Sequence, residues 1–308
     1  MHRLKLNQLH LTLDLFPVGG FLIATGDKGA ALLHPERPDR SPMRIRAQHP
    51  GTGVLDETVY MPGSTIKGCF RSSAERALRT LQAAMACDPW DRHSACRRRQ
   101  GRGESDAQVH ARQCMVCRTF GSQQTGGHLH FTDALPPDAG SWDAANRTRV
   151  RSGVSIDRRT GGPAQGKLYD AELVTGGAFR AHLHLENYQI WQLALLGTLV
   201  EDLDAGELRL GSGQTRGLGG FRARIVALEH WQAGGKVRSP AGVGALRPDL
   251  APAYGWLDDG ALDVEEPGRP SRGGLRWRWE GEAGAAVLER SQEPGWAALS
   301  QRAVRGEA

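Results

Sequence analysis

One stretch limits the fold of this chain more than any other: Tyr60-Met61-Pro62-Gly63-Ser64-Thr65-Ile66-Lys67-Gly68-Cys69-Phe70-Arg71. Pro62 and Gly63 break whatever precedes them, and Ser64 or Thr65 supplies a side-chain oxygen to start a helix. Ile66, Phe70, Ala74, Ala77, Leu78 and Leu81 then recur at helical spacing, so a helix over residues 64–85 must lay one apolar face on a core. Lys67 and Arg71 lie a turn apart, beside the free amides of the first turn. Amides with two cations next to them suit an anion, most simply a phosphate, which makes Ser64, Lys67 and Arg71 candidate contacts. The competing reading is an ordinary capped helix with solvated basic residues.

The flanking pattern is mixed. Leu4, Leu6, Leu9, Leu11, Leu13 and Leu15 alternate with polar partners, which predicts a strand with one buried face and an irregularity at Asn7-Gln8, where the phase changes. Residues 17–60 form a long connection of the kind that usually carries function, and it holds Asp27 and Asp39. A second strand is expected over Gly126–Asp133, with His128 and His130 on its faces. Residues 147–188 read as a basic hairpin with a Gly-Pro tip. Its Arg149, Arg151, Arg158 and Arg159, with Val154 and Tyr169, suit a groove for nucleic acid. A strand over Phe179–Leu185, a helix over Ile190–Leu203 and a short strand over Glu207–Leu210 follow. The glycine-rich stretch Gly211–Gly220 then leads into a strand over Phe221–Leu228. Because that loop joins strand to strand, it is not a dinucleotide fingerprint. Its glycines let backbone approach a ligand, with Arg216 and Gly217 as candidate contacts. The order is β-α-β-β-α-β, an α+β, ferredoxin-like core spanning residues 1–230. Residues 231–308 read as a C-terminal extension with limited structure of its own, apart from a strand around Leu275–Trp279 and an amphipathic segment at Ala285–Leu299.

Charge and cysteine usage narrow the partners. Residues 1–230 hold 29 Lys/Arg against 23 Asp/Glu, and residues 231–308 hold 10 against 11, so the basic excess sits where a polyanion would bind. Four of the five cysteines form a C-x8-C-x17-C-x2-C pattern inside a charged insertion at residues 86–119. The tight Cys114–Cys117 pair with Cys87 and Cys96 suits a closed tetrahedral zinc site, with His93 able to replace Cys96, whereas Cys69 reads as a core residue. No run approaches the roughly 18 apolar residues of a membrane span. The opening Met1-His2-Arg3-Leu4-Lys5 lacks a signal peptide's apolar core, so a cytoplasmic protein is expected.

Several motifs together resemble those of the RAMP superfamily, the CRISPR-associated repeat proteins. Met61–Gly68 looks like its "PGSS-hydrophobic-KG" helix start. Cys117-Arg118-Thr119-Phe120-Gly121-Ser122 resembles its "C-x-x-FG" segment, Gly153–Glu172 the thumb hairpin of type III backbone subunits, and Gly211–Gly220 the "RG-x-G" loop. The cysteine insertion is similar to that of zinc-bearing type III-D and III-E subunits. The resemblance implies a palm with a thumb over residues 147–178, stacked with other effector subunits along a CRISPR guide RNA and its target RNA in antiviral defence. Lys67, Arg71 and Arg216 would contact phosphates, and Arg149, Arg151, Arg158, Arg159 and Val154 would serve the thumb. Many such subunits are endoribonucleases that use a loop aspartate with magnesium or manganese. In the family that aspartate often directly precedes a Ser-Pro or similar pair. Here Arg40 directly precedes Ser41-Pro42 and Asp39 lies one residue further back, a departure from the pattern; Asp39 ranks first for that role and Asp27 second. The alternative is a non-catalytic structural or capping RNA-binding subunit.

Overall fold

The computed structural model describes residues 4–24, 38–88, 90–91, 96, 103–234, 239–257, 260–265, 268–272 and 276–306. In chain order the elements are β1 (Asn7–Val18), β2 (Arg44–Gln48), β3 (Leu55–Val59), α1 (Gly63–Leu81), α2 (Asp106–Ala111), α3 (Met115–Phe120), β4 (Leu129–Phe131), α4 (Ala139–Asn146), β5 (Arg149–Ile156) and β6 (Pro163–Leu173). They continue with β7 (Phe179–Glu186), α5 (Ile190–Ala205), β8 (Gly220–Gln232), α6 (Val243–Leu246), α7 (Ala251–Tyr254), β9 (Arg269–Ser271), β10 (Arg276–Glu280) and α8 (Glu282–Val304).

β1 is the centre of a six-stranded antiparallel sheet ordered β4-β7-β1-β8-β10-β9. Its Leu9, Leu11, Leu13 and Leu15 point to one face and are fully buried. That face is covered by helices: α1 meets β4, α5 meets β8, and α8 meets α5, β8 and β10. Each buried leucine contributes about 1.5–3 kcal/mol relative to exposure. No described helix packs on the opposite face, and His130, His182, Arg222 and Arg224 are exposed on it.

Three local expectations are corrected. The irregularity of β1 falls at Thr12/Leu13, where β8 carries one extra residue, and not at Asn7-Gln8. Asn7 is regular strand with a buried side chain that donates to the Tyr188 and Ala241 carbonyls and accepts from the Tyr188 amide. Its polarity imitates a phase break because it is satisfied inside the protein. Residues 207–210 form no strand; they bond to the end of α5 and to Gly219. α1 starts at Gly63 with Pro62 at its cap position and no side-chain cap, so neither Ser64 nor Thr65 caps it. Asp133 does that work from a distance, its carboxylate accepting from the Gly63 amide at 2.8 Å.

The segment after residue 230 is more structured than the sequence suggests. It adds β9 and β10 to the sheet and lays the 23-residue α8 against α5. The helices meet closely at Gly295, where a Cβ would come within 2.4 Å of the Ala194 Cβ. Gln292 joins them by accepting from the Thr198 hydroxyl at 2.9 Å and the Trp296 indole at 3.0 Å. Packed by the sheet on one side and helices on others, α5 is apolar nearly all round.

Candidate nucleic-acid interface and metal centre

Three segments meet at one end of the sheet. β1 leaves it at Val18, β7 enters at Phe179 and β8 enters at Gly220, and the registers Leu15↔Phe179 and Val18↔Gly220 put these points side by side. A small apolar cluster of Leu22, Ala171 and Leu173, with Leu218 against it, joins the connection after β1 to the base of the β5–β6 hairpin and the glycine-rich loop. The loop needs its glycines for internal contact. Gly211 and Gly219 adopt φ near +88° and +80°, and a Cβ on either would lie within 2.5 Å of the Leu22 or Leu210 carbonyl oxygen. The close approach expected toward a ligand is at these positions an approach to the protein's own backbone.

Above this cluster lies a cavity of about 280 Å³ whose walls include Arg40, Arg151, Val154, Tyr169 and Arg216. Tyr169 is its centrepiece. The Arg40 guanidinium sits over the ring, 4.9 Å from its centroid, and Arg216 donates to the phenol oxygen at 2.9 Å. The ring crosses to Gly153 on the paired strand, where a Cβ would fall 2.4 Å from the Tyr169 Cζ. An aromatic surface held by two guanidinia, with an apolar floor, suits a base or sugar beside a phosphate. Of the candidates named from sequence, Arg151, Val154 and Arg216 share this cavity. Tyr169, read from sequence as the aromatic of the hairpin groove, is here as well; Arg40 was not assigned a contact, and the Arg40-Ser41-Pro42 run was the available signal.

Asp39 lies at the rim. Its carboxylate accepts from the Asp170 amide at 3.1 Å, and Arg40 bridges to β6 through the Asp170 carbonyl and the Glu172 amide. Beneath, Glu172 accepts from Arg44 and from the Thr148 hydroxyl, each at 2.7 Å. Burial pushes the Glu172 carboxyl up, but Thr148 and Arg44 outweigh it and hold it below the ordinary range. The Asp39 loop and the hairpin are thus stitched together. Asp27 and His93 lie outside the described residues.

Arg149 is exposed on β5, and Arg158 and Arg159 are exposed in the turn at the hairpin tip, which Asp157 closes by accepting from the Arg159 and Thr160 amides. Exposed Val150, Val154, Ile156 and Leu168 interleave with these cations. Gly217 is exposed with φ +83° beside Arg216.

Lys67 and Arg71 do not face that cavity. They line a separate cleft of about 500 Å³ with Cys87, Cys96, Cys117 and the loop at residues 120–127. Arg71 is committed internally: it donates to Glu75 at 3.1 Å, to the Gly121 carbonyl at 2.9 Å and to the Cys117 sulfur at 3.4 Å. Burial and the neighbouring Arg71 lower the Lys67 pKa. Ser64 is exposed at the helix start, whose first amide already has Asp133 as its anion.

The four cysteines named from spacing converge. Their sulfurs all lie within 4.8 Å of one another, and Cys87 and Cys117 are 3.6 Å apart. A tetrahedral zinc with Zn–S of about 2.3 Å requires sulfurs about 3.8 Å apart, so the set fits such an ion. The surroundings suit thiolates. Backbone amides of Cys87 and Cys117 point at the Cys114 sulfur, and that of Cys114 points at Cys96. Cys114 is also the cap residue of α3. Cys69 stands apart, half-buried against the core, where burial pushes its thiol up. His110 and His128 pack together beside the Tyr254 and Asn187 carbonyls and are not members of the cysteine cluster.

Arg118 anchors this knuckle to the C-terminal segment. It is 1% exposed and donates to the carbonyls of Gln113, Gly255 and Ala111, and burial lowers its pKa to about 10. No described helix is long and apolar enough to cross a membrane.

A search of curated proteins finds no match to the chain. The family model described as RAMPs, the RAMP superfamily, matches residues 40–222. That span runs from the Arg40 rim through α1, the knuckle and the hairpin to the glycine-rich loop, so it takes in both the cavity and the metal centre. It covers more than half of the chain, and the chain therefore belongs to the RAMP superfamily, a placement that points to a CRISPR-associated RNA-binding protein.

Proposed function

We propose that the protein is a backbone subunit of a type III CRISPR effector that holds guide RNA and the guide–target duplex. The observation that carries this is the meeting of hairpin, glycine-rich loop and Asp39–Arg40 rim around the Tyr169 cavity. Strand order β4-β7-β1-β8, with crossovers through α1 and α5, supports a ferredoxin-like palm. The hairpin, exposed and interleaving cations with apolar side chains, is the thumb. Protein grips phosphate and ribose, and base pairing reads sequence. The cysteine knuckle holds a structural zinc, as in the type III-D and III-E branch, and four thiolates leave that ion no open position.

Asp39 is the residue we assign to metal-dependent cutting of target RNA. Magnesium or manganese is commonly bound by one or two carboxylates together with substrate phosphates, which suits a single rim aspartate beside bound RNA. A non-cutting structural or capping role is favoured by one observation, the engagement of Asp39 with the Asp170 amide. The assembled complex, given a guide-complementary RNA and manganese, decides between them. Regularly spaced cuts lost in Asp39→Ala, with binding retained, establish the nuclease; cuts that persist in the variant leave a scaffold or move the role to Asp27.

A further inference from the structure

The open face of the sheet is not neutral. Across its strands Arg180 on β7 pairs with Asp14 on β1, which pairs with Arg224 on β8. Asp14, 2% exposed, accepts both nitrogens of a bidentate Arg180 at 2.7 and 2.8 Å and one from Arg224 at 3.0 Å. Lower on the same face Glu229 takes Arg278 at 2.7 Å with Arg272 at 3.8 Å. Asp14 holds two guanidinia, which leaves a positive charge over and fixes the cations on the sheet, whereas Arg278 also donates to Glu280 at 3.0 Å, so the Glu229 group is balanced. Arg222 is 65% exposed and donates to the Asp204 carbonyl at 2.7 Å, with the Asp204 carboxylate 3.8 Å away; Arg224 is 67% exposed and lies over the Phe16 ring at 5.0 Å.

Position matters as much as charge. Arg222 lies two residues after Gly220, where the glycine-rich loop enters β8, and Arg180 lies next to Phe179, where the hairpin segment enters β7. A strand of RNA leaving the Tyr169 cavity over the end of the sheet meets these arginines next. The outward side chains of β1, β7 and β8 are mostly charged or polar, carboxylates as well as Arg and His, rather than the apolar centre that a protein interface has. Oriented cations without an apolar patch suit phosphates.

We infer that this open face is a second RNA-binding surface, on which Arg180, Arg222 and Arg224 take the phosphate backbone of single-stranded RNA. The inference rests on the RNA-binding reading above. It is tested with the full chain and a fluorescein-labelled, unstructured 30-nucleotide RNA, by anisotropy over a salt series. Arg222→Ala with Arg224→Ala should lower the slope of log K against log salt by about 1.4, two contacts of about 0.7 each, so that affinities meet near 1 M and differ by about 25-fold at 0.1 M. Arg222→Lys with Arg224→Lys keeps the charge and should retain most of the slope. A wild-type slope in the alanine variant overturns the inference while leaving the RNA-binding reading intact. Failure of the wild type to bind RNA overturns both. A wild-type slope with altered self-association in sedimentation makes the face a protein interface and also overturns it.

Discussion

The two ends of the sheet solve opposite problems. At the cavity end Arg40 and Arg216 are exposed, and they hold Tyr169 over a floor of only a few apolar side chains. At the other end the polar groups are buried and largely bonded to one another. Asn7, Tyr188, His230 and Gln232 bond among themselves and to the Ala241 backbone, while Arg118 fastens the cysteine knuckle to Gly255. Buried polar groups of this kind are costly to disturb, so that end should govern stability. The exposed end can lose side chains with little effect on folding, so its losses should appear in binding.

The sharpest way to break this contrast is to remove two of the clustered cysteines. Cys114→Ser with Cys117→Ser should abolish zinc and unfold the knuckle, since structural zinc contributes about 10–16 kcal/mol of apparent binding energy in small domains. Metal analysis and a thermal melt check it, and a folded, zinc-free wild-type protein would count against a zinc role. Next in size is Arg118→Ala, which orphans three carbonyls and should cost about 3 kcal/mol or more by chemical denaturation. An effect below 1 kcal/mol would mean that the seam to the C-terminal segment is not held there.

A pH effect of similar size belongs to the same end. Burial lowers the His230 pKa from 6.5 to about 4. The unfolded chain therefore binds a proton that the folded chain refuses between those values. Stability is full above pH 6.5, falls as pH drops toward 4, and loses about 3 kcal/mol to this residue. His230→Gln should show a shallower loss between pH 7 and 4.5; an unchanged slope would assign the acid sensitivity elsewhere.

The smallest effect on folding, and the one that separates the two ends, is at the cavity. Tyr169→Ala should weaken RNA binding by about 1–3 kcal/mol, the range for one stacked base, with little change in melting temperature. A large drop in melting temperature with unchanged RNA affinity would reverse the contrast between the ends.

Much of the site was legible in the sequence. The cysteine set followed from spacing, and the hairpin from its alternation and Gly-Pro break. The cavity was partly visible: Arg151, Val154, Tyr169 and Arg216 were named, whereas Arg40 enters because a loop from one segment crosses a strand from another. Arg71 misled because its spacing from Lys67 is that of an anion site, yet its partners Gly121 and Cys117 lie about 50 residues on.

Sequence alone determined the order of the main strands and helices through residue 230, because helical and strand periodicity, breakers and cysteine spacing are local properties of the chain. Tertiary structure decided which cations remain free, how the last 78 residues join the core, and which face of the sheet stays open. Those outcomes depend on contacts between distant segments. A guanidinium beside a cysteine sulfur and a carbonyl is a strut, and the same group beside a tyrosine at an open rim is a hand.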